Sequence, residues 1–136
     1  MSILGIIVGF VGLEITSILM HKYLFHGPLW FIHKSHHEKR TGVFEHNDLF
    51  SLFFTALGLG LILWGRVHSS FVWGMGLGVS LYGCIYFVIH DLMSHRRFYP
   101  LKTKISWINF FVFDHRKHHQ RVDKTGQGPW GLFSGL

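Results

Sequence analysis

The sequence predicts an all-α integral membrane protein: about three transmembrane helices, with short helices on the cytoplasmic side that carry a cluster of histidines. Three observations predict it. Of the 136 residues, 49% are apolar, and fourteen Phe and five Trp are many for this length. Such a composition suits lipid better than water. Three apolar runs are each long enough to cross hydrocarbon, and the basic residues and histidines gather at one end of those runs.

The first run is "ILGIIVGFVGLEITSILM", with a span expected at about 3–20. No small-residue cleavage site follows it, so it reads as a retained span rather than a signal peptide. The second is "LFSLFFTALGLGLILWG", expected to span 49–65, with Asn47 and Asp48 as candidate N-caps. The third is "SFVWGMGLGVSLYGCIYFVI", expected to span 70–89. At about 1.5 Å per residue these runs reach roughly 26 to 30 Å. Only "RVHS" separates the second from the third, which predicts a tight helical hairpin. Gly74, Gly76, Gly78, Ser80 and Gly83 either let helices approach closely in lipid or merely loosen the packing. One membrane-embedded domain over residues 1–136 is expected, with histidine regions at 21–48 and 90–136.

Three spans place the end of the first, the start of the second and the end of the third on one side. Lys22, Lys34, Lys39, Arg40, Arg96, Arg97, Lys102, Lys104, Arg116, Lys117, Arg121 and Lys124 all fall there, and only Arg66 falls opposite. That asymmetry makes the basic side cytoplasmic and puts the N-terminus outside. A net charge of +6 then reads as orientation and lipid headgroup contact, not as a nucleic-acid surface. The single cysteine, Cys84, lies in an apolar run, which excludes a disulfide framework and a thiolate metal site.

Ten of the twelve histidines form two copies of one compound pattern. His21 and His26 make H-x4-H, followed by His33, His36 and His37 as H-x2-H-H. His90 and His95 repeat the first part, and His115, His118 and His119 the second. On a helix H-x2-H-H lies on one face, so three imidazoles can converge on one point. H-x4-H separates its members by about 140° on an ideal α-helix. The helix is therefore expected to break at "HGP" and in "MSHRRFYP", with His26 and His95 folding back from the ends. Clustered imidazolium ions would repel, whereas neutral imidazole is the commonest protein metal ligand. Ten such nitrogens exceed one ion's coordination sphere and suit two, of iron, zinc or copper. His46 and His68 read as interfacial side chains outside the site.

Three acids accompany the histidines. Glu14 lies inside the first span, seven residues before His21, and an intramembrane carboxylate is a functional candidate. Asp91 follows His90, and Asp114 precedes His115. Each could accept the second N–H of a ligating imidazole, although Glu14 could equally bond a neighbouring helix and the two Asp could balance nearby cations.

"HKYLFHGPLWFIHKSHHEKR", "FEHNDLF", "IYFVIHDLMSHRRF" and "DHRKHHQ" resemble the bacterial β-carotene hydroxylases of the fatty acid hydroxylase/sterol desaturase superfamily, from Glu14 to about Gln120. The resemblance implies a non-haem di-iron monooxygenase. It implies two iron ions (zinc in a purified sample) held by His21, His26, His33, His36, His37, His90, His95, His115, His118 and His119, with O2 as co-substrate. It further implies a ferredoxin-type electron donor and a hydroxyl placed at position 3 of a carotenoid β-ionone ring. The run 105–113 is too short to span, and by the resemblance becomes a packed or interfacial helix bearing the last histidines. Residues 120–136 depart from the resemblance and carry no assigned role. Phe25, Trp30, Tyr86 and Phe87 are candidate walls of the site.

Two other classes use the same histidines. A fatty-acyl or sterol oxygenase or a carotenoid ketolase would keep the pattern with a different pocket. A non-enzymatic membrane metal-binding protein would need no fixed double pattern.

Overall fold

A computed structural model of the chain describes residues 2–39 and 42–133. Arg40, counted above among the basic residues, and the last three residues lie outside them. Helix α1 (Ile3–Leu19) runs directly into a π-helical segment, Met20–Phe25. Then come α2 (Trp30–His37), α3 (Asp48–His68) and α4 (Ser70–Tyr86), which passes into a second π-helical segment, Phe87–Ser94, and finally α5 (Ser106–His118). No strand occurs among the described residues.

Three stretches are long and apolar enough to cross a membrane: Ile3–Phe25, Asp48–His68 and Ser70–Ser94. They outrun the expected spans because the π segments carry two of the helices past their expected ends. Only 17%, 11% and 33% of their most apolar windows are buried. Helices this apolar and this exposed face lipid, which marks a membrane protein.

The chain divides into two compact units. The first comprises Met1–Thr16 and Leu49–Ile85. Here α4 is the central helix. Gly5 and Gly9 of α1 pack against the α4 backbone at Phe71 and Met75, and Gly74 and Gly78 of α4 against α1. Gly76 faces Ile62 of α3, and Gly58 of α3 faces Val79 and Ser80. Close approach therefore describes Gly74, Gly76 and Gly78, whereas Gly83 has open space beside it. Ser69 alone joins α3 to α4, so the hairpin link is shorter than expected. Phe10 packs edge-to-face on Tyr82, whose hydroxyl donates to Glu14 Oε2 at 2.6 Å.

The second unit comprises Ser17–Asp48 and Tyr86–Leu136 and holds all ten patterned histidines. The helices end where breaks are expected, at Phe25 before a turn over 26–29 and at Ser94 within "MSHRRFYP", but the π segments leading into those ends are what bring each H-x4-H pair together. The amide of His26 donates to the His21 carbonyl at 3.0 Å, and that of His95 to the His90 carbonyl at 2.9 Å. These are the i→i+5 bonds of a π-helix, whose wider turn brings residues five apart onto one face. The H-x4-H spacing is thus a π-helical periodicity, and the chain widens instead of folding back. Arg116 of α5 donates to the Ser94 and Met93 carbonyls, satisfying the end of the second π segment. Trp107, Phe110 and Phe113 of α5 are all exposed, while its Arg116 end packs on the second π segment.

Candidate metal centre

The ten histidines meet as two groups of five. His21, His26, His33, His37 and His118 form the first, with one ring nitrogen from each within 4.8 Å of every other. His36, His90, His95, His115 and His119 form the second on the same criterion. This corrects the expectation that each H-x2-H-H triad converges on one point. The i,i+4 pair of each triad serves one group, and its middle member crosses to the other. His36 leaves the first motif for the second group, and His118 leaves the second motif for the first. The physical reason is angular: i and i+4 nearly align on a helix face, while i+3 is turned about 60° short of a full circle.

Ring orientation in the first group is set by five acceptors. Each histidine donates through Nδ1: His21 to the Trp130 carbonyl at 2.9 Å, His26 to Lys124 at 3.3 Å and His37 to Arg121 at 2.9 Å. His118 donates to the Gln127 carbonyl at 2.6 Å and His33 to Asn47 Oδ1 at 2.7 Å. An oxygen acceptor requires the Nδ1–H tautomer, which leaves Nε2 as a bare lone pair. In the second group His36 Nδ1 donates to Glu45 Oε2 at 2.9 Å and His90 Nδ1 lies 3.4 Å from Asp91 Oδ2.

Those Nε2 atoms point at one another. His26 and His118 approach to 3.2 Å, His33 and His21 to 3.1 Å, and His37 and His33 to 3.2 Å. His36 and His90 approach to 3.0 Å and His95 and His115 to 2.9 Å, while buried His119 Nε2 has no hydrogen-bond partner. Lone pairs turned together at this distance repel unless a cation lies among them. With metal–nitrogen bonds of about 2.0–2.1 Å, neighbouring ligands of one ion sit roughly 3 Å apart. The donor set therefore fits a metal ion at each group.

Electrostatics agree with neutral ligands. Burial, ahead of crowding by other imidazoles, lowers His26 and His37 to about 4 and His33 to about 3. Burial likewise lowers His36, His115, His118 and His119. At neutral pH these rings carry no proton that a metal would have to displace.

The acids fall in different places. Asp91 lies beside His90 and also accepts from Arg97 at 2.8 Å. Asp114 lines a small pocket with Ile89, His90, Phe111, His115 and Leu132. Glu14 bonds Tyr82 within the first unit. His46 and His68 belong to neither group, and His68 stacks on Trp64. Trp30 packs on His26 and His37, Phe25 on His33 and Tyr86 on His90. Phe87 instead meets Phe98.

Sequence reasoning missed Glu45, Asn47 and Arg97. Asn47, expected as a helix cap, turns its oxygen to His33. Arg97 is 4% exposed and forks onto Asp48 at 2.7 Å while holding Asp91. Its neighbours Arg96 and Phe98 both take φ of 52°, a left-handed conformation costly for such residues, and both are exposed while Arg97 is buried. The available signal was "FEHND", polar side chains crowded against the start of a span at the level of the histidines. The four backbone carbonyls of residues 121–130 carry no side-chain signal at all.

The fatty acid hydroxylase profile matches residues 6–136. The chain is 37% identical over 124 residues to the beta-carotene hydroxylase of Pantoea ananas, covering 90% of this chain and 70% of that protein. It is 38% identical over 131 residues to the chloroplastic beta-carotene 3-hydroxylase of an Oncidium hybrid cultivar, covering 92% and 42%. For the chloroplastic beta-carotene 3-hydroxylase of Haematococcus lacustris the figures are 37% over 142 residues, 98% and 43%. The chain thus spans about two fifths of these plant and algal relatives and most of the bacterial one. No solved structure matches it. Profile, relatives and histidine pattern agree: the chain belongs to the fatty acid hydroxylase family.

Proposed function

We propose that the chain hydroxylates a carotenoid β-ionone ring at position 3, converting β-carotene to cryptoxanthin and then zeaxanthin. The observation that carries this reading is the pair of five-histidine groups with Nε2 lone pairs turned inward, in a chain whose relatives are named beta-carotene hydroxylases. Two iron ions, when bound by the ten histidines, supply activation of O2 for insertion of one oxygen atom into a C–H bond. The balance is one ring C–H, O2, two electrons and two protons giving one alcohol and one water. A soluble ferredoxin-type donor provides the electrons.

The chain's own residues do the rest. Nδ1 contacts to carbonyl, carboxamide and carboxylate oxygens hold seven of the ten rings, all five of the first group with His36 and His90, in the tautomer that frees Nε2. Trp30, Phe25 and Tyr86 pack on the histidines and limit access of water to them. The exposed apolar helices keep the domain in the bilayer, where a carotenoid dissolves. Residues 1–136 work as one membrane-embedded unit of the inner membrane, with the histidines at its cytoplasmic surface and the N-terminus outside.

The test is expression of the chain in cells that accumulate β-carotene, followed by identification of the pigments under labelled O2. Mono- and then di-hydroxylated carotene carrying the label is expected. A keto product would move the reading to a ketolase. Unchanged carotene with hydroxylated acyl chains would move it to the acyl hydroxylation that the family description allows. Label from water would exclude a monooxygenase.

A further inference from the structure

The two histidine groups are held by different chemistry. Four of the five Nδ1 acceptors of the first group are backbone carbonyls of one ten-residue stretch: Arg121, Lys124, Gln127 and Trp130. The fifth is the Asn47 carboxamide, so every acceptor is neutral. The Trp130 ring also packs edgewise on His21, His26 and His118. Gly126 is seated so closely that a Cβ there would come to 2.6 Å from His26 Cε1 and 3.3 Å from His118 Cε1. The second group turns His36 and His90 toward carboxylates, Glu45 and Asp91.

We propose that residues 121–130 form a backbone clasp that positions the first group alone, and that this group holds the more easily released of the two metal ions. The inference rests on reading both groups as metal sites. Its physical basis is twofold. A carboxylate partner raises the basicity of a ligating imidazole, and a neutral carbonyl does so less. A clasp of irregular backbone, exposed at residues 121–125, 127 and 128, is also held by fewer packed neighbours than a buried helix, so it opens at lower cost. Glu45 and Asp91 belong instead to segments tied down by Arg97, which binds Asp91 directly and the Val43 carbonyl beside Glu45.

The experiment uses the full chain, purified in detergent and loaded with Zn2+. Chelator titration of the wild type should release two ions in two steps about 10- to 100-fold apart in chelator concentration. Gly126→Ala should lower the zinc content from two to about one per chain, and the ion left should follow the wild type's tighter step. Glu45→Gln should instead weaken the tighter step. Hydrogen exchange on the wild type after the first step should show faster exchange in residues 121–130 and little change in α5, a readout that needs no variant to fold. Release of both wild-type ions in one step, or exchange in 121–130 that changes only at the second step, would overturn the clasp. So would Gly126→Ala retaining both ions, or losing both with its helicity intact. A wild type that binds fewer than two ions would instead refute the two-site reading itself.

Discussion

His36 Nε2 lies 3.0 Å from His90 Nε2, although fifty-four residues separate them and they belong to different copies of the histidine pattern. His118 makes the reciprocal crossing, 3.2 Å from His26 Nε2. Each copy thus lends its middle triad histidine to the other's group, and neither copy completes a five-histidine group alone.

The crossing sets an order of metal loss. His33→Ala and His118→Ala should each remove the same ion, so the double variant should lose about one ion of two, no more than either single change. His36→Ala with His118→Ala should lose both. Metal analysis of the purified variants, with His46→Ala and His68→Ala as controls at wild-type content, checks this. If His33 and His36 proved to share an ion, the assignment of the groups would fail.

Arg97 is a buried cation serving two carboxylates and a carbonyl. Arg97→Met would leave Asp48 and Asp91 uncompensated, at a cost of about 3 kcal/mol or more. Arg97→Lys should recover only part of that, because an ammonium cannot reproduce the fork onto Asp48. Thermal unfolding in detergent measures both, and a wild-type midpoint for Arg97→Met would show the network to be dispensable.

The metal-stripped chain should lose stability as pH falls. Folding lowers His26 and His37 to about 4 and His33 to about 3 from an ordinary value near 6.5. Below 6.5 the unfolded chain binds protons that the folded chain does not, so stability present above 6.5 declines through 4 and toward 3. Unfolding midpoints should change little between pH 7.5 and about 6.5 and fall from there to pH 4. A flat or rising trend would contradict neutral, buried imidazoles.

The proposed sidedness rests on the uneven distribution of basic residues. Reporter fusions at Ser69 and at Lys124 should report opposite sides of the membrane, with Lys124 cytoplasmic. Both on one side would exclude three spans.

Much of this protein was legible from residue order alone. Three apolar runs become three membrane-length helices, because burial of backbone polar groups in lipid admits little else. Ten patterned histidines separate from His46 and His68, because a repeated spacing is a one-dimensional property. What the tertiary structure decided was how those ten divide. An α-helical ruler places His21 and His26 on different faces; the π-helical bond from His26 to His21 places them on one. The helix angle singles out the middle member of each triad, and only the packing within the unit decides which histidines it joins. The clasp of residues 121–130 acts through carbonyl oxygens, which every residue carries, so only folding could reveal which of them reach a histidine.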